Sequence, residues 1–295
     1  CIRDSNYAAN YWENHTSDFR KVVQTYKYDG SPYYRSPQKS TLNDQTSRNL
    51  RNLLTASATF DKQFNDHGIK AMVGYQQEDH RYDMHKGYRE NYAFPDYPVL
   101  DAGGEENQKA YGNSYEWSLR SIFGRINYDY QGKYLFEANM RYDGSSKFGA
   151  DNRWAVFPAF SLGWRIKNEP FLENVDFLSD LKLRFSWGRN GNSAIPSGYL
   201  QSSYVADYNG TSYAMNGQES GSLQSGFRKY LTGNSTLKWE TVTQTNYGID
   251  FGFFNQSLVG TIDYFYKKTT DMLYLPPYIG AFGEGGDTYV NGPSM

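Results

Sequence analysis

The sequence predicts an all-β fold, the wall of a transmembrane antiparallel β-barrel, and three observations support this prediction. The first is the period-two alternation of Thr243–Tyr266, in which one face is apolar and the other is polar or glycine. The second is that the apolar face is rich in Tyr and Phe, as expected where strands contact lipid and end in aromatic girdles. The third is that the long connections all fall on the same predicted side.

Composition supports this class and excludes several others. The 295 residues include 18% aromatics, whereas a disordered chain would lack them. A helical membrane protein would contain an apolar run of about 18 residues or more, and the sequence contains none. The net charge of −2 gives no basic field for nucleic acid. A single cysteine, Cys1, excludes an internal disulfide framework and a cysteine-based zinc site, and we expect neither metal nor cofactor.

Eight segments alternate over roughly the length that a tilted barrel strand needs, about 9–11 residues or more. Phe19–Tyr28 is a ninth candidate. Near Arg120 the apolar face switches from odd to even residues, which predicts a β-bulge. The eight segments are Arg48–Phe60, Gly68–His80, Tyr115–Tyr130, Tyr134–Asp143, Arg153–Ile166, Leu181–Gly188 and the two halves of Thr243–Tyr266.

The parity of the outward faces predicts two turns. Even residues face outward on both sides of Gln131–Lys133, which fits a three-residue turn with Gly132 at positive φ. The parity changes across Asn255–Gln256, which fits a two-residue turn. The resulting register pairs Phe253 with Leu258, Ile249 with Ile262, Tyr247 with Tyr264 and Gln244 with Lys267. The long connections are predicted at Arg81–Ser114, at Arg189–Lys238 and from Leu275 onward.

The predicted inner face is charged. Such a lumen suits a large barrel that holds water or a plug better than a filled eight-strand core. The inward ionisable residues include Lys70, Glu78, Arg141, Lys182, Arg184, Glu240, Asp250 and Lys267.

Seven motifs match one known family in order and spacing. They are Phe123–Tyr128 (FGRINY), Tyr142–Phe148 (YDGSSKF), Asn152–Ile166 (NRWAVFPAFSLGWRI), Trp187–Asn192 (WGRNGN), Leu237–Glu240 (LKWE), Asp250–Asn255 (DFGFFN) and Asp263–Asp271 (DYFYKKTTD). In these motifs the chain resembles the barrel of SusC/RagA-class TonB-dependent outer-membrane transporters, from about Asn49 to Asn291.

The resemblance implies a 22-stranded barrel in the bacterial outer membrane that imports oligosaccharides, or sometimes peptides. It implies that residues 1–295 form barrel only, with the plug, the TonB-binding segment and the closing C-terminal strands outside them. The expected partners are the remainder of the barrel and the plug, a SusD-like surface lipoprotein, TonB through the N-terminal part, and outer-membrane lipid. The lumen charges of Arg141, Lys182, Arg184 and Glu240 are expected to face the plug.

Tyrosines in the long connections are the candidate substrate contacts, since sugar C–H groups stack on aromatic rings. The alternative is that they pack the loops or contact the lid protein, because Tyr is enriched at interfaces. The candidates are Tyr88, Tyr92, Tyr97, Tyr199, Tyr204, Tyr208 and Tyr213.

Two other functions stay open as alternatives. An outer-membrane barrel enzyme would need catalytic side chains on the rim, but the four histidines assemble no Ser-His-Asp or Cys-His set, so we expect no enzyme. A soluble glycan-binding β-sheet module would have aliphatic faces buried under a second layer of the same protein.

Overall fold

The computed structural model describes residues 2–206, 213–214, 223–224, 226–277 and 288–295, and most of them lie in β-strands. Single-turn 3-10 helices occur at Leu100–Ala102, Ala150–Asn152, Ile166–Asn168 and Pro170–Leu172. Within the described residues, no helix has the length and apolar character needed to cross a bilayer. The strands, in chain order, are β1 (Ile2–Arg20), β2 (Val23–Tyr26), β3 (Pro32–Ser36), β4 (Thr41–Phe64), β5 (His67–Glu90), β6 (Gly104–Tyr130), β7 (Tyr134–Ser145), β8 (Trp154–Arg165), β9 (Leu178–Asn192), β10 (Ser203–Val205), β11 (Tyr213–Ala214), β12 (Leu223–Gln224), β13 (Arg228–Leu231), β14 (Glu240–Phe253), β15 (Leu258–Thr270), β16 (Leu273–Tyr274) and β17 (Val290–Asn291).

Nine strands form one sheet in the order β1-β4-β5-β6-β7-β8-β9-β14-β15. The pairs from β6 through β15 are antiparallel, and each long strand lies beside the next long strand along the chain. The shorter strands form the two-stranded pairs β2-β3, β10-β13, β11-β12 and β16-β17. This topology confirms the predicted antiparallel all-β fold.

The chain divides into two compact units. The first, here called the barrel unit, comprises Cys1–Tyr7, Leu54–Glu78 and Ser118–Met295. The second, the hairpin unit, comprises Ala8–Leu53 and Asp79–Trp117 and contains the β2-β3 hairpin.

All eight predicted strands are present, but three are much longer than their alternation indicates. Strands β4 and β5 each have 24 residues and β6 has 27. Where a strand leaves the lipid both faces contact water, so the period-two signal disappears although the backbone stays extended. Most of the predicted loop Arg81–Ser114 is therefore strand. The strand predicted at Phe19–Tyr28 is wrong, because β1 ends at Arg20 and β2 begins at Val23.

The outer face of the sheet in the barrel unit is not covered by other parts of the chain that the structure describes. Ile249 on β14 is 41% exposed and Ile262 on β15 is 62% exposed. A soluble module would bury such residues. The face is therefore built for contact with lipid, as predicted, and this argues against the soluble alternative.

Two aromatic pairs flank the outward apolar residues of β7 and β8. Tyr134 stacks with Trp164 at the short-turn end, with ring centroids 6.3 Å apart, and Tyr142 stacks with Trp154 further along, at 4.9 Å. Eight residues separate the two tyrosines, or about 26 Å of extended strand at about 3.3 Å per residue. Because barrel strands are tilted by about 35–45°, this separation spans roughly 20 Å along the membrane normal, somewhat less than the roughly 25 Å height of the apolar band.

The two predicted turns have the expected register. Lys133 N–H donates to Tyr130 O (2.9 Å) across the three-residue turn, and Gly132 has φ of 64°. The second turn consists of residues 254–257, between the end of β14 and the start of β15. It is closed by Ser257 N–H, which donates to Phe254 O (3.1 Å). The β14-β15 register confirms all four predicted pairs, from Phe253–Leu258 to Gln244–Lys267.

The bulge predicted near Arg120 is absent from the β6-β7 pairing, whose register is continuous from Leu119–Ser145 to Tyr130–Tyr134. Leu119 therefore lies on the inner face, not the outer one as predicted. It packs there against an apolar cluster below the long connections. An inner-face leucine at the rim breaks the polar-inside pattern, so alternation alone indicates a change of face at this point.

A buried carboxylate organises the turn between β8 and β9. Glu169 is only 8% exposed and accepts a hydrogen bond from Trp164 Nε1 (3.0 Å), while Lys133 Nζ lies 3.5 Å from its other oxygen. Hydrogen bonds from Tyr134 and Trp164 hold the pKa of Glu169 below its ordinary value. The turn is thus attached to the aromatic girdle through one charged group.

We expect Ile249→Arg to destabilise the full-length protein in lipid vesicles by about 2–4 kcal/mol, the cost of an arginine facing lipid near the bilayer midplane. Gln244→Arg, on the inner face of the same strand, is the matched control and should cost about 0.5 kcal/mol or less, because water screens its repulsion from Lys267. Urea unfolding in vesicles measures both values. Equal costs at the two positions would contradict the assignment of the faces.

The Glu169 contacts predict a pH-dependent stability. A carboxylate whose pKa is depressed by folding stabilises the folded state at neutral pH, and this contribution is lost as the pH falls through the folded pKa. Glu169→Gln should lower the thermal unfolding temperature at pH 7, and the difference from the unmodified protein should shrink below about pH 4. Exposed Glu173 in the same connection provides the control Glu173→Gln, which should change neither. A difference between Glu169→Gln and the unmodified protein that stays constant with pH would refute this account.

Candidate functional site

The inner face of the barrel unit contains an ionic bridge across three neighbouring strands. Arg184 on β9 donates Nε and Nη2 to the two carboxylate oxygens of Asp250 on β14, at 2.8 and 2.9 Å. The same Nη2 reaches Asp263 on β15 at 3.1 Å. Arginine suits this position because its planar fork binds one carboxylate in a bidentate manner and still has a donor for a second.

Gly248 makes the bridge possible. It lies directly between Arg184 and Asp263 in the strand register. A Cβ atom at this position would lie 2.7 Å from both Arg184 Cζ and Asp263 Oδ1. The absence of a side chain on β14 therefore lets the guanidinium cross from β9 to β15.

Below this bridge the inner face forms an open polar cavity of about 550 Å³. Lys182 and Arg184 line it together with Lys70, Asp129 and Glu137. Lys182 makes no direct ion pair among the residues that the structure describes, although it lies opposite Asp250 in the strand register. Its ammonium group is therefore available to another polypeptide or to solvent.

The other two predicted lumen charges lie elsewhere and already have partners. Arg141 donates Nε and Nη2 to Asp143 at 3.2 and 3.1 Å, and its guanidinium lies 5.4 Å from the ring centroid of Phe123. Glu240 accepts from Asn192 Nδ2 (3.2 Å) and from the backbone N–H of Leu273 (2.9 Å). The four residues predicted to face the plug thus share a face of the sheet but do not form one site.

An apolar cluster, here called the loop-base cluster, lies where the long connections of the barrel unit leave the wall. Its buried members are Phe148, Phe157, Ile195, Leu237 and Trp239, and none is more than 7% exposed. The Trp239 ring lies 5.2 Å from Phe148 and 5.4 Å from Phe157. Sequence reasoning did not identify this cluster, although its aromatic members belong to three of the recognised motifs.

Hydrogen bonds tie backbone segments around the loop-base cluster. Trp239 Nε1 donates to Arg153 O (3.0 Å). The Asn291 side chain donates to the carbonyls of Lys238 (2.8 Å) and Asp271 (2.9 Å) and accepts from Lys238 N–H (3.0 Å). Lys238 Nζ also pairs with Asp271 Oδ1 at 2.9 Å. The base of the connection after β9 is thereby attached to that of the connection after β15.

One motif lysine is partly enclosed near this cluster. Burial lowers the pKa of Lys147, and the charge of Glu78 opposes this shift. Glu78 is itself only 7% exposed. The YDGSSKF motif therefore places the buried apolar side chain of Phe148 next to the cation of Lys147 at the inner rim.

The candidate substrate tyrosines have different environments. Tyr92 is 6% exposed, packs edge-on against Phe19 at 5.2 Å, and its N–H donates to Ser40 Oγ (2.8 Å). Tyr199 packs edge-on against Tyr289 at 4.7 Å on the loop-base cluster. These two contacts favour the alternative in which the tyrosines pack the loops.

The remaining candidates include two exposed rings. Tyr97 is 66% and Tyr204 64% exposed, whereas the Tyr88 hydroxyl donates to Glu90 at 3.3 Å. Tyr213 lies in β11, opposite Gln224. Tyr208 lies outside the described residues.

Among the described residues, no group of three or more His, Cys, Asp or Glu side chains is arranged to hold a metal ion.

Comparison with known proteins places this geometry in a family. Residues 3–294 match the family model "TonB dependent receptor-like, beta-barrel". The chain is 43% identical over 157 residues to the TonB-dependent receptor SusC of Bacteroides thetaiotaomicron, which covers 53% of this chain and 15% of SusC. It is 33% identical over 246 residues to the TonB-dependent receptor P3 of Formosa agariphila, or 80% of this chain and 23% of that protein.

A solved structure shows the same fold. The RagAB peptide importer in its closed-closed state superposes with a TM-score of 0.84 at 24% identity, over 99% of this chain and 30% of the importer chain. The chain thus spans less than a quarter of the length of the two receptors and about a third of the importer chain. The matched relatives SusC and P3 are receptors, which agrees with the prediction that the chain is not an enzyme. The chain therefore belongs to the TonB-dependent receptor-like β-barrel family of the bacterial outer membrane, as its motifs predicted.

Proposed function

We propose that the full-length protein imports oligosaccharides or peptides through its lumen, driven by TonB and assisted by a SusD-like surface lipoprotein. The observation that carries this proposal is the division of one sheet into an exposed apolar face and an ion-paired polar face. Such a sheet separates lipid from a water-filled passage. The motif resemblance to the SusC/RagA class supports oligosaccharides as one substrate class, and the shared fold with a peptide importer supports peptides as the other.

Within this function, the loop-base cluster supports the extracellular loops that capture substrate. Long connections on one side of a barrel are extracellular in this class of protein. The exposed rings of Tyr97 and Tyr204 are the better candidates for substrate contact, since an accessible aromatic face is what a sugar ring or an apolar side chain needs. Tyr92 and Tyr199 hold loops in place.

Lys182 is the lumen residue best suited to contact a plug. Arg184 already forms ion pairs with two carboxylates. Arg141 pairs with Asp143, and Glu240 accepts a hydrogen bond from Asn192. An unpaired ammonium at the wall of a hydrated lumen gains a modest interaction with a carboxylate brought to it. Several such contacts hold a plug while leaving it displaceable.

Deleting the gene from its host should abolish uptake of at least one of two labelled substrate pools, oligosaccharides or peptides, and the full-length gene should restore it. A protonophore should stop the same uptake, because TonB-driven import depends on the energised inner membrane. A tagged receptor extracted in mild detergent should retain a surface lipoprotein. Unchanged uptake of both pools after deletion would contradict the proposed function.

Lys182→Glu should loosen the plug without unfolding the barrel, because it replaces attraction to a plug carboxylate with repulsion. We expect greater entry of a large antibiotic that intact outer membranes exclude, measured as increased sensitivity of the host. Lys268 lies on the outer face of β15. Lys268→Glu makes the same charge change there, so it is the matched control and should not sensitise the cells. Equal sensitivity of the two variants would remove Lys182 from the plug interface.

A further inference from the structure

The β2-β3 hairpin of the hairpin unit displays aromatic rings and cations on one open face. The register pairs Gln24 with Arg35 and Tyr26 with Pro32, with an irregularity between Thr25 and Tyr26. Tyr26, Tyr33 and Arg35 therefore share a face, since directly opposed residues point the same way and positions two apart along a strand repeat. Tyr34 pairs with Thr25 and belongs to the other face.

The shared face is exposed and positively charged. Tyr26 is 63% and Tyr33 71% exposed. Lys27 Nζ lies over the Tyr33 ring, 5.9 Å from its centroid. Neither Lys27 nor Arg35 has an ion-pair partner among the described residues.

The acidic group at the hairpin turn is already occupied. Asp29 accepts from Ser31 N–H (2.9 Å) and Ser31 Oγ (2.6 Å), and these hydrogen bonds hold its pKa below the ordinary value. It therefore stabilises the turn as a carboxylate. The cations on the ring-bearing face are not neutralised by it.

Ion pairs connect both ends of the hairpin to residues at the end of β5 and just after it. Just before β2, Lys21 Nζ pairs with Asp96 at 2.7 Å. Just after β3, Lys39 Nζ pairs with Glu90 at 2.8 Å. The pairing within the hairpin is reinforced by Thr25 Oγ1 donating to Tyr34 O at 3.0 Å. A preorganised surface loses less entropy when it binds.

We infer that this face binds an acidic polysaccharide chain, with sugar rings stacked on Tyr26 and Tyr33 and carboxylates paired with Lys27 and Arg35. The chemistry matches, since sugar C–H groups pack on aromatic faces and cations balance the uronate charge. A linear polysaccharide chain also fits the narrow surface of a two-stranded hairpin. The two strands hold nine residues, whereas a stable protein partner needs about 20–30 residues on each side.

This inference goes beyond import, because binding of an acidic chain to the hairpin does not depend on which molecule the lumen passes. The test uses the purified full-length receptor and four probes. They are polygalacturonate, neutral dextran, double-stranded DNA and purified lipopolysaccharide. We expect binding to polygalacturonate that weakens with salt, no binding to dextran, and weaker binding to DNA and lipopolysaccharide.

Two double variants separate the contributions of the rings and the charges. Tyr26→Ala with Tyr33→Ala, and Lys27→Gln with Arg35→Gln, should each weaken polygalacturonate binding roughly tenfold. Tyr34→Ala removes an equally accessible ring from the other face and should leave the affinity unchanged. Heat-modified migration on gels checks that each barrel is folded.

Three results would overturn the inference. One is equal binding to dextran and polygalacturonate, and another is tighter binding to DNA or lipopolysaccharide. The third is unchanged affinity of both double variants in folded protein. Uptake by cells is measured separately, so failure here leaves the import proposal intact, and failure of uptake leaves this surface intact.

Discussion

The structure depends on one constraint, that hydrocarbon offers no hydrogen-bond partners to a polypeptide backbone. Every N–H and C=O group that crosses the membrane must bond within the protein, and a sheet of neighbouring strands satisfies this requirement between strands. Strands β6 to β9, β14 and β15 pair in continuous register, except for one irregularity between Gly252 and Phe253 where β14 pairs with β9. Once the backbone is satisfied in this way, side chains alternate strictly between the two faces, and each face can serve a different solvent.

The same alternation that gives lipid an apolar surface places charges on the other side. There Arg184 bridges Asp250 and Asp263 across three strands, and Gly248 leaves the space that this bridge requires. Such a pair in a hydrated lumen avoids the desolvation penalty that burial in a dry core imposes. The bridge links three neighbouring strands through their side chains, in addition to the hydrogen bonds between their backbones.

The long connections need a core of their own, because the barrel wall is one layer thick. The loop-base cluster provides it inside the rim, where Trp239 contacts both Phe148 and Phe157. The side chain of Asn291 then joins the bases of two connections through three hydrogen bonds to backbone groups. The recognised motifs thus include structural supports for the loops.

The sequence alone determined the fold class, the eight strands within the membrane and the β14-β15 register, since period-two alternation and loop parity depend only on local backbone geometry. It also assigned Ile249 and Ile262 to the outer face and Lys182 and Arg184 to the inner one. Tertiary structure decided where β4, β5 and β6 end, because outside lipid both faces are wet and no alternation marks the strand. It alone placed Leu119 inside and buried Tyr92, and it alone brought Phe148, Phe157 and Trp239 together. Those positions depend on contacts between residues far apart in the chain, and no local pattern encodes such contacts.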